Sequence, residues 1–226
     1  MAVTEAKKAT EKVADDRPLN LQELKNKKPE ELLELGEELG IEKLANYGES
    51  LETHPVDAGR LRNVVERVTA AAKWADRAKD GRFLGVAAHR SFVSYAAAVV
   101  SVLKDERRKF RVDEVWLALD PGTVVNKERV RAQMEGAVVM GLSNALFGGI
   151  TMKGGVPEQS NFHDARIARI TDVPRAIHVD LVPSDAAPGG VGEPGVPPVA
   201  PALANAVFAL TGERLRAFPF YGKPNT

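Results

Sequence analysis

The chain has 226 residues, 44% of them hydrophobic, which is enough to bury a real core in one or two domains. Its 31 basic and 31 acidic residues cancel, so whole-chain charge argues neither for nucleic acid nor for an acidic partner. It has no cysteine, which excludes disulfides, thiolate metal sites, cysteine nucleophiles and an iron–sulfur cluster held by its own thiolates.

Residues 1–18 mix lysines with acids up to Pro18 and read as a polar tail without the apolar run of a signal peptide. No stretch approaches the roughly 20 apolar residues of a membrane span, so no membrane partner is expected. The expected location is cytoplasmic, or periplasmic if a partner carries the export signal. Over 19–47 the leucines fall at helical spacing in two short helices, Leu21 and Leu24 on the first, Leu32, Leu33, Leu35 and Leu39 on the second. Pro29 opens the second helix and Gly40 closes it. The run GESLETHPVD loses that periodicity, so 48–56 reads as a linker and the domain boundary, with His54 solvated.

Asp57 is placed to cap a helix that runs to about Trp74 with Leu61, Val64, Val65 and Val68 inward. Three strands follow, RFLGVAAHRSF, SYAAAVVSVLK and FRVDEVWLALD, with DERRK as the turn between the last two. Their alternation is imperfect, which suggests a sheet covered on both faces. His89 reads as a structural histidine. After the tight turn Asp120-Pro121-Gly122, Asn126 caps a long helix whose apolar face is Val130, Met134, Ala137, Val138, Gly141 and Leu142. Gly136 and Gly141 each cost about 1 kcal/mol against alanine in that helix, so they mark close packing or the approach of a ligand. Gly154-Gly155 signals a hairpin, and AIHVDLVPS a strand with Ile177, Val179 and Leu181 on one face and a surface His178 on the other. The fold class is α+β, a mixed sheet-and-helix domain behind a small helical segment.

From Pro183 the text is a glycine-rich loop that carries one carboxylate, Glu193. Pro197-Pro198 then start a helix through Val199, Leu203, Ala206, Val207 and Leu210 that stops at Thr211-Gly212. Glycine is used where backbone must turn sharply or be approached closely. Glu193 therefore sits just before a helix N-terminus, whose partial positive charge favours an anion.

Two resemblances add to this reading. The string GVGEPGVPPVAPALANAVFALTG, and with it residues 57–220, resembles the C-terminal portion of the molybdenum-binding subunit of the xanthine dehydrogenase / aldehyde oxidase family, in particular isoquinoline 1-oxidoreductase beta subunits. The resemblance implies Glu193 as general base beside molybdenum. It implies Gln133, Glu135, Gly136, Gly190 and Gly192 as cofactor-binding residues and Asn161, Phe162 and Asp164 as part of the substrate channel. The cofactor implied is a molybdenum–pterin cytosine dinucleotide shared with a missing or partner segment. The partners implied are that remaining segment and an iron–sulfur small subunit, and the substrate an N-heterocycle or aldehyde oxidised with oxygen from water. The chain departs from the family's pattern at Pro121, where relatives have cysteine, and at Ala165, where they have tyrosine; the second bears on substrate preference. His163 beside Asp164 lacks a third ligand at suitable spacing, so no metal ligand is expected from the protein itself.

The second resemblance is short. NLQELKNKKPEELLELGEELGIE is similar to the N-terminal helical module of transcription terminator Rho, which implies weak nucleic-acid contact through 19–47. A plain amphipathic hairpin is the competing reading, and the acids Glu30, Glu31, Glu34, Glu37 and Glu38 oppose phosphate contacts. The front of the family's subunit has no counterpart before Asp57. Two functions follow: a C-terminal component of a molybdenum hydroxylase, or a catalytically inactive binding or scaffold protein that works through 19–47.

Overall fold

The structure is a computed structural model that describes residues 54–77 and 81–222. The chain divides into two units, Met1–Ser50 and Leu51–Thr226, and the description concerns the second. The tail and the leucine-rich segment of 1–47 lie outside the described residues.

In chain order the elements are α1 (Ala58–Ala71), β1 (Phe83–Ser91), β2 (Ser94–Asp105), β3 (Lys109–Asp120), α2 (Lys127–Leu146), β4 (Met152–Lys153), β5 (Val156–Pro157), β6 (Ala176–Leu181) and α3 (Val199–Thr211). Asp57 caps α1 as expected, accepting from the backbone of Gly59 and Arg60, and Asn126 caps α2 by accepting from Arg129 N. The first helix is shorter than its apolar spacing suggests. It stops at Ala71 because Lys73 turns into the left-handed region at φ 51°, and Trp74–Asp76 form one 3₁₀ turn instead.

β1, β2 and β3 form an antiparallel meander and β6 adds to β3 in parallel, giving the order β1-β2-β3-β6. The imperfect alternation of β3 has a definite cause. Val100 pairs with Val115 but Val102 with Val112, so Asp113 and Glu114 stand opposite Ser101 alone in a bulge. The extra residue brings Phe110 and Val112 to the same face as Val115, Leu117 and Leu119.

Both faces of the sheet are covered. On one, Ala96, Ala98, Val100 and Val102 of β2 and those five residues of β3 pack against α2 and α3. On the other, Tyr95, Ala97, Val99, Trp116 and Ala118 pack under Val64 and Val68 of α1. Each large aliphatic side chain withdrawn from water in this way contributes about 1.5–3 kcal/mol. Gly85 on β1 is required by the packing, because a Cβ there would lie 2.1 Å from the carbonyl oxygen of Ala202 on α3.

The surface side of β6 is less free than its sequence suggests. Asp180 is held by Arg67 of α1, at 2.6 and 2.9 Å. The exposed His178 stacks on Trp116 with ring centroids 5.3 Å apart and meets Glu114 Oε2 through Nε2 at 2.8 Å. The start of α1 is fixed on the sheet by Arg60, which donates to Asp120, and by Tyr95, whose hydroxyl accepts from Asp57 N at 2.7 Å.

Candidate functional site

β3 and β6 run parallel, so their carboxyl ends lie at the same end of the sheet. The loop 182–198 leaves from the end of β6 and is stitched to the end of β3. Ala186 O accepts from Thr123 N at 2.9 Å, and Gly189 N donates to Pro121 O at 2.7 Å. Gly122 makes this approach possible. It has φ +75°, and a Cβ on it would stand 2.2 Å from Ala187 O.

A second set of bonds ties the loop to the β1–β2 turn. Gly190 N donates to Phe92 O at 2.8 Å, and Ser94 Oγ donates to Gly190 O at 2.6 Å. A Cβ on Gly190 would lie 2.5 Å from the Cβ of Phe92, so this glycine is there for close approach within the chain. The turn itself is strained, since Phe92 and Val93 take φ of 52° and 64° without being glycine.

Beyond it Glu193-Pro194-Gly195-Val196 forms a tight turn in which Glu193 O accepts from Val196 N at 2.9 Å, leading into α3 at Val199. Gly195 rests on α2, where a Cβ would stand 2.9 Å from Met134 Sδ and 3.0 Å from Ala137 Cβ. Gly141 repeats this from the helix side, 2.8 Å from the Cβ of Val199. Two glycines thus press the turn that carries Glu193 onto α2 and leave the Glu193 side chain exposed.

Gln133 reaches the same loop, with Nε2 at 3.5 Å from Gly192 O. From Gln133 a single stripe runs along α2 at spacings of three and four residues, through Gly136, Met140 and Ser143 to Phe147 just past its end. Gln133, Gly136 and Met140 are exposed. At the far end Ser143 Oγ accepts from Ala168 N at 2.9 Å and Arg166 lies 4.0 Å above the Phe147 ring. The glycine loop at one end and the 166–168 segment at the other bound this flank of α2, and the space between them over Gly136 and Met140 is termed the trough.

The two costly helix glycines therefore have different reasons. Gly141 is close packing within the chain. A Cβ added to Gly136, or to Gly192 of the loop, meets nothing within 4 Å, and neither residue has a positive φ. Glu135 does not share this flank. It is exposed, but two residues past Gln133 places it about 200° round the helix axis.

Asn161, Phe162 and Asp164 form a separate turn. Asp164 accepts from Ser160 N, Asn161 N and Ser160 Oγ, and Asn161 Oδ1 accepts from Phe162 N at 2.8 Å. These bonds, those of Asn161 and Ser160 N–H first, hold the Asp164 carboxyl down at about 2. Phe162 is 68% exposed. His163 lies 3.5 Å from Asp164. Among the described residues no group of three or more His, Asp or Glu is placed to hold a metal ion, and no helix is long and apolar enough to cross a membrane.

The sequence singles out the loop, Gln133 and Gly136 but gives no sign of Phe92, Ser94 and Ser143, which fix the two ends of the trough. Their partners are 25 or more residues away in sequence. Nothing local signals such contacts.

Residues 5–174 match the family described as the molybdopterin cofactor-binding domain. The isoquinoline 1-oxidoreductase subunit beta of Brevundimonas diminuta is 38% identical over 174 residues, 75% of this chain and 22% of that protein. The membrane-bound aldehyde dehydrogenase [pyrroloquinoline-quinone] of Gluconacetobacter polyoxogenes is 40% identical over 106 residues, 47% of this chain and 14% of that one. Among solved structures, the aldehyde oxidoreductase of Desulfovibrio gigas aligns with a TM-score of 0.49 at 22% identity, over 56% of this chain and 14% of that chain. The family match begins at residue 5 and runs through 19–47, so the Rho-like reading of those residues gains no support from it.

Proposed function

The chain belongs to the molybdopterin cofactor-binding domain family of molybdenum-dependent oxidoreductases, and on that premise we propose that it works as the C-terminal component of a molybdenum hydroxylase with Glu193 as its general base. The matched part spans 22% of the first relative's length.

The observation that carries the reading is the pair of glycines facing open space on one trough. Gly136 and Gly192 give up side chains where nothing in the chain competes for the room, and Glu193 follows Gly192 directly. A helix-interior glycine costs about 1 kcal/mol against alanine, a cost that close approach of a ligand would offset. A flat pterin group, in the cytosine dinucleotide form, would lie on that bare backbone beside Gln133 and Gly192, while Gly190, whose N–H and carbonyl are taken by Phe92 and Ser94, holds the loop in place. When bound, the molybdenum–pterin group supplies the two-electron oxidation and the transfer of oxygen from water to substrate.

The residues of this chain supply position and a proton acceptor. Glu193 has an exposed carboxylate on a turn pinned to α2, so its backbone is held in place and its oxygens stand open to a ligand. In the assembly it accepts the proton released as water oxygen is transferred, which is general-base work. The oxidised carbon lies beside a heterocyclic nitrogen or in an aldehyde. The turn at Asn161, Phe162 and Asp164 forms part of the channel, with Phe162 as its apolar face and Asp164 locking the turn. Electrons leave through an iron–sulfur partner subunit.

The test is Glu193→Gln in the assembled protein, with molybdenum measured by elemental analysis beside turnover of a heterocycle and an aldehyde. Loss of turnover with molybdenum retained is expected. Retained turnover overturns the assignment. A second reading, a catalytically inactive scaffold with 19–47 as its contact for nucleic acid or protein, is favoured by one observation: none of the cavities of about 340, 420 and 280 Å³ is lined by Glu193. Protein from the native host without molybdenum would favour it.

A further inference from the structure

Seven of the eleven exposed large hydrophobic side chains among the described residues lie between Met140 and Ile170. Their concentration is not a matter of composition, since the same stretch ends a helix whose inner face is fully packed. At its centre is the ribbon β4–β5, two residues per strand, with Met152 opposite Pro157 and Lys153 opposite Val156. Residues 150–158 are all exposed, so the ribbon buries neither face on its own chain. Ile150, Met152 and Val156 are each about 60% accessible, and bonds between Thr151 and Gln159 close the base. A lone two-stranded ribbon is marginal in water, and exposed apolar patches of this kind mark interaction sites.

The patch is continuous with the trough. Met140 lies on the α2 stripe between Gln133, which meets the Glu193 loop, and Ser143, which holds the return segment of the arm through Ala168. Gly136 and Met140 on this floor are exposed, and neither lines the cavities of about 340, 420 and 280 Å³. Among the described residues nothing comes within 4 Å of a Cβ placed on Gly136, and the arm follows α2 directly in the chain.

We propose that the arm 150–158, with the open stretch of α2, is the docking surface for the remaining body of a molybdenum-hydroxylase large subunit, which clasps the arm and closes the trough over Glu193. The inference rests on the function proposed above. The occupant is argued from length: the matched region is 22% of the relative's chain, so roughly four fifths of that chain has no counterpart in it. The arm's chemistry agrees, since Lys153 and Glu158 are its only charges and cancel, which suits an apolar protein contact and not a polyanion.

The test uses the tagged full chain co-expressed with a defined probe, the Brevundimonas diminuta beta subunit cut where its similarity to this chain begins. A one-to-one complex by size exclusion with light scattering is expected. Ile150→Asp with Val156→Asp should weaken it at least tenfold, whereas Val125→Asp, on an exposed side chain outside the arm, should not. Both variants should keep the parent's melting midpoint, because the residues changed are exposed. Absence of a complex, or one indifferent to the arm substitutions, overturns the proposal. So does a stable dimer of the chain alone that the same pair disrupts, which would make a second copy the occupant. Molybdenum measured in the complex separates the two readings: an arm-dependent complex without molybdenum leaves the docking surface standing and sinks the hydroxylase assignment.

Discussion

Arg60 holds the Asp120 carboxylate by two bonds, Nε to Oδ2 at 2.8 Å and Nη2 to Oδ1 at 2.7 Å, and its backbone carbonyl by a third at 3.2 Å, and so ties the first turn of α1 to the carboxyl end of β3. Asp120 also accepts from Gly122 N at 3.1 Å, which sets the turn against which the Glu193 loop is stitched. A contact far from the proposed chemistry thus positions the loop that carries it.

Burial pushes the Asp120 carboxyl up, but the hydrogen bonds from Arg60 and Gly122 together with the charge of Arg60 outweigh it and hold the group below its usual value. A carboxyl depressed on folding contributes stability that is present above its unfolded value, about 3.9, and is lost as pH falls through the lower folded value. Asp164, held at about 2, acts in the same sense. Urea midpoints should therefore drop between pH 5 and pH 2. Asp120→Asn should cost about 3 kcal/mol at pH 7, because Arg60 loses its charge partner, and should flatten the acid dependence. Parallel pH curves for the two proteins would remove Asp120 from this role.

Much of this was legible in the chain. The caps Asp57 and Asn126, the apolar face of α2 and the end of α3 at Gly212 all follow from side-chain chemistry within one turn of helix. The bulge at Asp113-Glu114 was not, because its only trace is a lost alternation that a fully buried strand also shows. The trough was half legible. Gly136 and Glu193 stand out as costly or unusual residues, but the stripe from Gln133 to Phe147 gains meaning only once Gly192 and Ala168 are found at its two ends.

The β1–β2 turn gives a second prediction. Val93 is β-branched at φ 64°, a conformation that costs an L-residue roughly 1–2 kcal/mol. Val93→Gly should raise stability by about 1 kcal/mol after the added freedom of the unfolded chain is counted. A thermal melt shifted upward by a few degrees is the expected reading; a downward shift would mean that the valine side chain contributes more than its backbone costs.

Gly122 predicts the opposite sign. Alanine there meets Ala187 O at 2.2 Å and Ala186 O at 2.7 Å, both backbone atoms, on a residue that already has φ +75°. Gly122→Ala should destabilise by at least about 2 kcal/mol and free the loop 186–192. Limited proteolysis should then cut in that loop before the sheet unfolds. Cutting unchanged from the parent would show that the loop is held by its bonds to Phe92 and Ser94 alone.

Gly136 separates folding from function. Its Cβ would meet nothing within 4 Å and it lies inside α2, so Gly136→Ala should stabilise the chain by about 1 kcal/mol, read as a higher urea midpoint. The same methyl group would stand on the floor of the trough, between Gln133 and Met140, where the cofactor is proposed to lie. In the assembled protein the variant should therefore bind less molybdenum than the parent although it folds better. A merely structural glycine would give the first effect without the second. If molybdenum content stays at the parent's level, Gly136 faces solvent in the assembly, and the cofactor does not touch this part of α2.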